Sequence, residues 1–214
     1  MPMTCPLPLM LLLSGALVTT ALLTSPVAAQ PAPDLMTTES ILIDHLQRNA
    51  LGFNPDTTRI SAVQRPALQW VQYDVVDTER RDHTLHYFVH TDGRVLEPRL
   101  DARERLSTLA ADEALVERPS ALEADDLIGL LAAALSQGEV PVTADRADRA
   151  RTTWAKPRFT PPTIDASPKR LHVTFWTMPQ GRSTTAHLYD VVIKPGGKVT
   201  LKVKTAERRL NPDR

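Results

Sequence analysis

Apolar residues recur at every second position in several separate stretches of this chain, and that period commits those stretches to strands half-buried against a core. In residues 69–77 (QWVQYDVVD) Val71, Tyr73 and Val75 share one face. In residues 84–90 (TLHYFVH) Leu85, Tyr87 and Val89 do the same. Asp92-Gly93 then makes a hairpin turn, because both positions tolerate positive φ, and residues 94–96 begin a third strand that Pro98 closes. The last third repeats the pattern. Leu171, Val173 and Phe175 alternate, a long strand covers 185–194, and Gly196-Gly197 turns into 198–204, with Val199, Leu201 and Val203 inward and Lys198, Thr200, Lys202 and Lys204 outward.

A strand meander with one apolar face needs a cover, and the remaining segments carry helical period. Thr37, Thr38, Glu39 and Ser40 open a helix whose face holds Ile41, Leu42, His45, Leu46 and Asn49, with Gly52 and Pro55 stopping it. Residues 100–117 read as a second helix, ended by Pro119. Ser120 and Glu123 form a capping-box pattern for a third, which carries Leu127, Ile128, Leu131, Ala134 and Leu135 and stops at Gly138. Residues 139–169 are irregular and long for a structureless loop, so they hold function or unrecognised strand, and 145–151 (DRADRAR) suggests a charged helical turn. The expected class is α+β, with helices packed on antiparallel meander sheet, in two halves of the same order that suggest a duplication.

The first charged residue is Asp34. Before it, residues 9–23 are an apolar run, followed by Val27-Ala28-Ala29, a small-residue cleavage pattern. The run is shorter than a spanning helix and contains Ser14, Gly15, Thr19 and Thr20. The expectation is a cleaved signal peptide over 1–29 and export to the periplasm or medium as a soluble protein, with no transmembrane segment in the mature chain. The organisation then reads as a mobile tail at 30–36, a helix-plus-meander unit at 37–100, a helical segment at 101–138, an irregular loop and second meander at 139–206, and a tail at 207–214. Cys5 is the only cysteine and leaves with the leader, so the mature chain has no disulfide, thiolate nucleophile or cysteine metal site. Its 25 basic and 25 acidic residues balance, which leaves no basic footprint for nucleic acid.

Residues 87–96 (YFVHTDGRVL) resemble the closing hairpin of PepSY-type domains, small exported bacterial modules of one helix on a meander. That resemblance implies a non-catalytic extracytoplasmic binding or inhibitory module.

No motif carries chemistry outright. There is no G-x-S-x-G elbow, H-E-x-x-H, Walker loop or G-x-G-x-x-G. His83, His86 and His90 form a histidine cluster, but His86 and His90 lie about 13 Å apart along a strand at roughly 3.3 Å per residue, too far to share an ion. No catalytic residue, metal or cofactor is expected. The residues expected to contact a ligand or partner are His86, Phe88 and His90, on an open sheet face, and Trp154 and Phe159 in the loop at 152–162. Trp70 and Trp176 sit out of phase with the core alternation and are expected to face a second layer, the helix at 121–137. The lysines of the last hairpin suit either an anionic partner or protection of an edge strand, and edge protection is the reading adopted. The expected function is therefore a binding or inhibitory module acting on a protein or cell-envelope component, of unknown oligomeric state. The alternatives are a small hydrolase with a histidine or carboxylate site between the two halves, and a structural envelope subunit that pairs through an edge strand.

Overall fold

The computed structural model describes residues 34–49, 53–79, 84–156, 158–179, 185–207 and 209–210, with the backbone course alone for 149–156 and 209–210. The leader at 1–29, most of the two expected tails, and His83 lie outside the described residues.

Helix α1 spans Leu35–Asn49. Asp34 starts it, one carboxylate oxygen accepting the Met36 N–H at 3.1 Å and the other the Thr37 hydroxyl at 2.6 Å. Strands β1 (Thr58–Val63), β2 (Trp70–Asp77), β3 (Thr84–His90) and β4 (Val95–Leu96) follow, and form one antiparallel sheet in the order β1-β2-β3-β4. The register pairs Val71 with Val89, Tyr73 with Tyr87 and Val75 with Leu85. This puts the expected apolar set on one face, where Leu42 and Leu46 of α1 cover it. The Tyr73 hydroxyl lies 2.8 Å from that of Thr38, tying the sheet to the helix.

The first sheet thus has one more strand than the three expected. Strand β1 is a partly exposed edge in which Arg59, Ser61 and Ala62 face solvent, so its alternation is too weak to read from sequence.

Helices α2 (Ala102–Asp112) and α3 (Ala124–Leu135) form the next layer. Beyond α3 come β5 (Glu139–Pro141), α4 (Ala144–Thr153), β6 (Trp154–Lys156), β7 (Thr163–Ser167), β8 (Arg170–Pro179), β9 (Thr185–Lys194), β10 (Lys198–Glu207) and β11 (Arg209–Leu210). The second sheet runs β10-β9-β8, with β5 beside the end of β8 and β7 beside its start, while β6 and β11 pair separately. The long segment after Gly138 is therefore largely structured, and 145–151 is helical within α4.

The two helices serve both sheets. Their core takes Trp70 and Phe88 from the first sheet, Leu68 from the turn before β2, and Leu171, Val173, Phe175, Tyr189, Val191 and Ile193 from the second sheet, around Leu106, Leu109, Ile128 and Leu131. Trp70 meets a second layer as expected. Trp176 does not meet α3; it packs with Val142, Ala147, Phe159 and Ala186 on the far face of the second sheet. Within the last hairpin Val199 is buried, but Val203 is 46% exposed, because β10 runs out past the helical layer.

Two expected helix boundaries are corrected. Helix α2 stops at Asp112 instead of continuing to Glu117. Ala114 adopts φ 49°, and the N–H groups of Ala114 and Leu115 bond back to the carbonyls of Ala111 and Ala110, a Schellman closure. Ser120 caps nothing: residues Pro119–Ala121 form a single 3-10 turn, and Glu123 flanks α3 without a side-chain cap. The entry to β2 is held by Glu113, which is fully buried and accepts the N–H groups of Gln69 and Trp70 at 2.6 and 2.9 Å. Burial pushes this carboxyl above its ordinary range, against the lowering effect of those N–H groups, Arg118 and His90.

Three expectations follow from these contacts. Gly196 and Gly197 both have positive φ, but a Cβ on Gly197 would stand 2.6 Å from the Ala111 Cβ and 2.8 Å from its nitrogen, whereas Gly196 faces open space. Gly196→Ala should cost about 1 kcal/mol and Gly197→Ala ~3 kcal/mol, read from urea midpoints. Ala114→Gly should stabilise by about 0.5–1 kcal/mol in the same assay, because a left-handed residue closes α2. For Glu113 a raised folded-state pKa means a contribution present below the ordinary carboxyl range and lost as pH rises through the raised value. Glu113→Gln, which keeps an acceptor for both N–H groups, should therefore gain stability relative to the parent between pH 4 and pH 8; a pH-independent difference would refute the assignment.

Candidate functional site

His86, Phe88 and His90 do share one face of β3, but that face is not open. Helices α2 and α3 cover it: Phe88 is fully buried, His86 is buried, and His90 packs on the Trp70 ring with centroids 4.9 Å apart. Phe159 is likewise buried, edge-on to Trp176 at 5.4 Å. Trp154 lies on β6, and its side chain is outside the described ones. Alternation tells which residues share a face; it is silent on whether a second layer covers that face, and here both faces of the first sheet are covered.

The polar side chains of the covered face join in a network. Asp74 accepts from Gln72 at 2.8 Å and lies 2.8 Å from the His86 Nδ1, while Arg65 donates to the Gln72 amide oxygen at 3.1 Å and to the Asp126 carbonyl at 3.2 Å. Burial pushes the Asp74 carboxyl up, but the hydrogen bonds from His86 and Gln72 outweigh it and hold the group below its ordinary value. The His86 Nε2 is buried without a hydrogen-bond partner.

Each of the five described histidines sits against a carboxylate: His45 on Glu97 at 3.2 Å, His86 on Asp74 at 2.8 Å, His90 on Asp92 at 2.9 Å, His172 on Asp190 at 2.8 Å and His187 on Glu139 at 2.7 Å. These are separate pairs, and among the described residues no group of three or more such side chains could hold a metal ion. A carboxylate on one imidazole nitrogen fixes the ring, as in catalytic dyads. At His187 the neighbouring hydroxyl, Thr177, donates to the other oxygen of Glu139 and not to the ring. That arrangement orients an imidazole without activating a nucleophile. Burial pushes the nearby Tyr189 hydroxyl up to about 12, so it stays protonated.

A cleft of about 410 Å³ opens instead at the edge of β3, between α1 and the segment after β4. Its origin is Pro98. Strand β4 pairs with β3 at Val95–Val89 and Leu96–Phe88, and the same register carried on by two residues sets Pro98 opposite His86. Proline has no N–H to give, and its carbonyl is turned away to accept from the buried Arg105 at 2.7 Å. The ladder ends there. The stranded His86 N–H is taken by the side chain of Gln137, whose amide oxygen lies 2.8 Å away.

Leu85 and Tyr87 from β3 and Pro98 supply the apolar lining, and Leu85 is 39% exposed. His45 and Asn49 of α1 form one wall, with 3.3 Å between the Asn49 amide nitrogen and the His45 Nδ1. Glu97 and Arg99 form the other, Arg99 donating to Glu97 at 3.0 Å. Burial pushes the Tyr87 hydroxyl up, reinforced by the Glu97 charge. Gln137 closes the end, and its amide nitrogen is buried with no hydrogen-bond partner. An apolar lining with a few convergent polar groups and one unmatched donor is the constitution of a ligand site. Sequence reasoning placed Tyr87 and Leu85 on one sheet face and saw Pro98 close a strand. Gln137 carried no signal, because a glutamine between a helix end and a glycine is unremarkable until a strand edge lies beside it.

Set against known proteins, the chain matches no protein-family model, no curated protein and no solved structure.

Proposed function

We propose that this protein is a non-catalytic binding module, exported from the cytoplasm, that holds a protein or cell-envelope component in the cleft between α1, β3 and residues 97–99. The observation that carries this reading is the unmatched amide nitrogen of Gln137 at the end of an apolar cleft. A buried donor without an acceptor costs free energy, about 1–3 kcal/mol, that is recovered when a ligand entering the cleft displaces the Gln137 amide. The leader pattern and the PepSY-like hairpin at 87–96 support export and a binding role. No helix of the described residues is long and apolar enough to cross a membrane. Binding is favoured over hydrolysis because the histidines lie in dispersed carboxylate pairs, and the Thr177 hydroxyl is committed to Glu139.

The test is titration of the isotope-labelled protein with N-acetyl-valine methylamide, a small probe with an apolar side chain and two carbonyls. The amides of Leu85 and Tyr87 and the side-chain amide of Gln137 should shift saturably. Leu85→Arg, at an exposed position that leaves the core intact, should abolish the response. Shifts mapping elsewhere, or surviving Leu85→Arg, would refute the cleft as the site.

A further inference from the structure

We infer that the occupant of the cleft is an extended polypeptide segment that adds to the first sheet as a strand on β3, beyond the end of β4, with an acidic residue near its amino end. This rests on the cleft being the binding site and goes further in naming the chemistry that fills it.

Three observations converge on the edge of β3. First, the edge is unpaired where the cleft lies: β4 covers only Phe88 and Val89, so Thr84–Tyr87 has no strand on that side among the described residues. An incoming chain that continues the line of β4 meets His86 where Pro98 cannot, because its residue has both an N–H and a free carbonyl.

Second, the group now on the His86 N–H is a poor plug. The Gln137 amide oxygen imitates a strand carbonyl, but its nitrogen gains nothing there and is buried without a partner. A peptide carbonyl can take over the N–H and release Gln137 to satisfy its own donor, so the exchange conserves the hydrogen bond and removes an orphan. Meanwhile alternate side chains of the segment fall on the α1 side, where the cleft receives them beside Leu85 and Tyr87.

Third, the exposed member of the ion pair at the mouth is a cation. The Arg99 side chain is 72% exposed, whereas its partner Glu97 is 18% exposed and is shared with His45. The outward face of this ion pair is the guanidinium, which complements a carboxylate on the segment where it leaves the end of β4.

The probe is a capped pentapeptide of alternating valine and threonine with one glutamate at its amino end, titrated into the labelled full-length protein. The His86 amide should shift and gain protection from hydrogen exchange. Methylating the peptide nitrogen that faces β3 should abolish binding, and methylating the neighbouring, outward nitrogen should leave it intact. Replacing glutamate by lysine should weaken binding. Gln137→Ala should speed exchange of the His86 amide in the free protein and tighten the peptide about three- to tenfold, the worth of one competing neutral hydrogen bond.

Equal tolerance of both methylated peptides would overturn strand addition while leaving cleft binding standing. Binding of N-acetyl-valine methylamide without binding of the peptide would do the same. Equal binding of the lysine peptide would overturn the acidic preference. Protection of His86 that depends on protein concentration and needs no peptide would give the edge to a second copy of this chain and overturn the proposal.

Discussion

A cation buried among carbonyls holds this molecule in register. Arg105 is 2% exposed, and its guanidinium donates to the carbonyls of Ala134 at 3.0 Å, Pro98 at 2.7 Å and Glu97 at 3.3 Å. One of these belongs to the last turn of α3, the negative end of a helix, and the other two to the chain leaving the first sheet. Burial lowers the guanidinium pKa against the raising effect of Asp101, yet an arginine keeps its charge, so the site must supply acceptors. Arg65 works at the opposite end of α3, donating to the Asp126 carbonyl, with Gly129 leaving room for its guanidinium. The helix shared by both sheets is thus pinned at each end by an arginine that precedes it in sequence, and removing either would leave buried acceptors unmatched.

The same arginine shapes the cleft. By drawing the Pro98 carbonyl toward α2, Arg105 removes from β3 the one acceptor that the register would have placed against His86. Proline removes the donor. The open edge is therefore a product of two covalent and electrostatic facts in the rigid part of the fold, and the element that closes it is a single side chain just past α3. A rigid frame with one exchangeable polar group is how a site can be preorganised and still accept a ligand. The four histidine–carboxylate pairs outside the cleft serve a different end: each carboxylate orients an imidazole where sheet faces meet other layers or turns, as Asp74 does at the His86 Nδ1 under α3.

What was legible in the sequence was whatever depended on local period. The α+β class, the face shared by Val71, Tyr73 and Val75, the Asp92-Gly93 and Gly196-Gly197 turns and the helical reading of 145–151 all follow from period and turn chemistry within a few residues. What was not legible depended on a partner far away in the chain. Thr58–Val63 becomes a strand because β2 pairs with it, not because it alternates well. His86, Phe88 and His90 are covered because α3, some forty residues on, packs where an open face was expected. Arg105 lies in a segment legible only as helical; its burial depends on the Pro98 and Ala134 carbonyls that converge on it. Gln137 acquires its role only beside the broken ladder of β3.

The treatment of strand edges separates the cleft from the rest of the molecule. A free edge invites pairing with any extended chain, and proteins that have no use for such pairing charge the edge. Strand β10 is an edge of the second sheet, and its Lys198, Lys202 and Lys204 are all exposed, each a charge that an added strand would have to desolvate. Between Thr84 and Tyr87 the edge of β3 carries no lysine or arginine; its residues are Thr84, Leu85, His86 and Tyr87. Its protection is one glutamine amide, matched on the oxygen and unmatched on the nitrogen. A charged edge stays closed at every encounter, whereas an edge held by a half-satisfied amide opens to a chain that offers a better acceptor. The contrast between the two sheets is what sets the β3 edge apart as a place to bind.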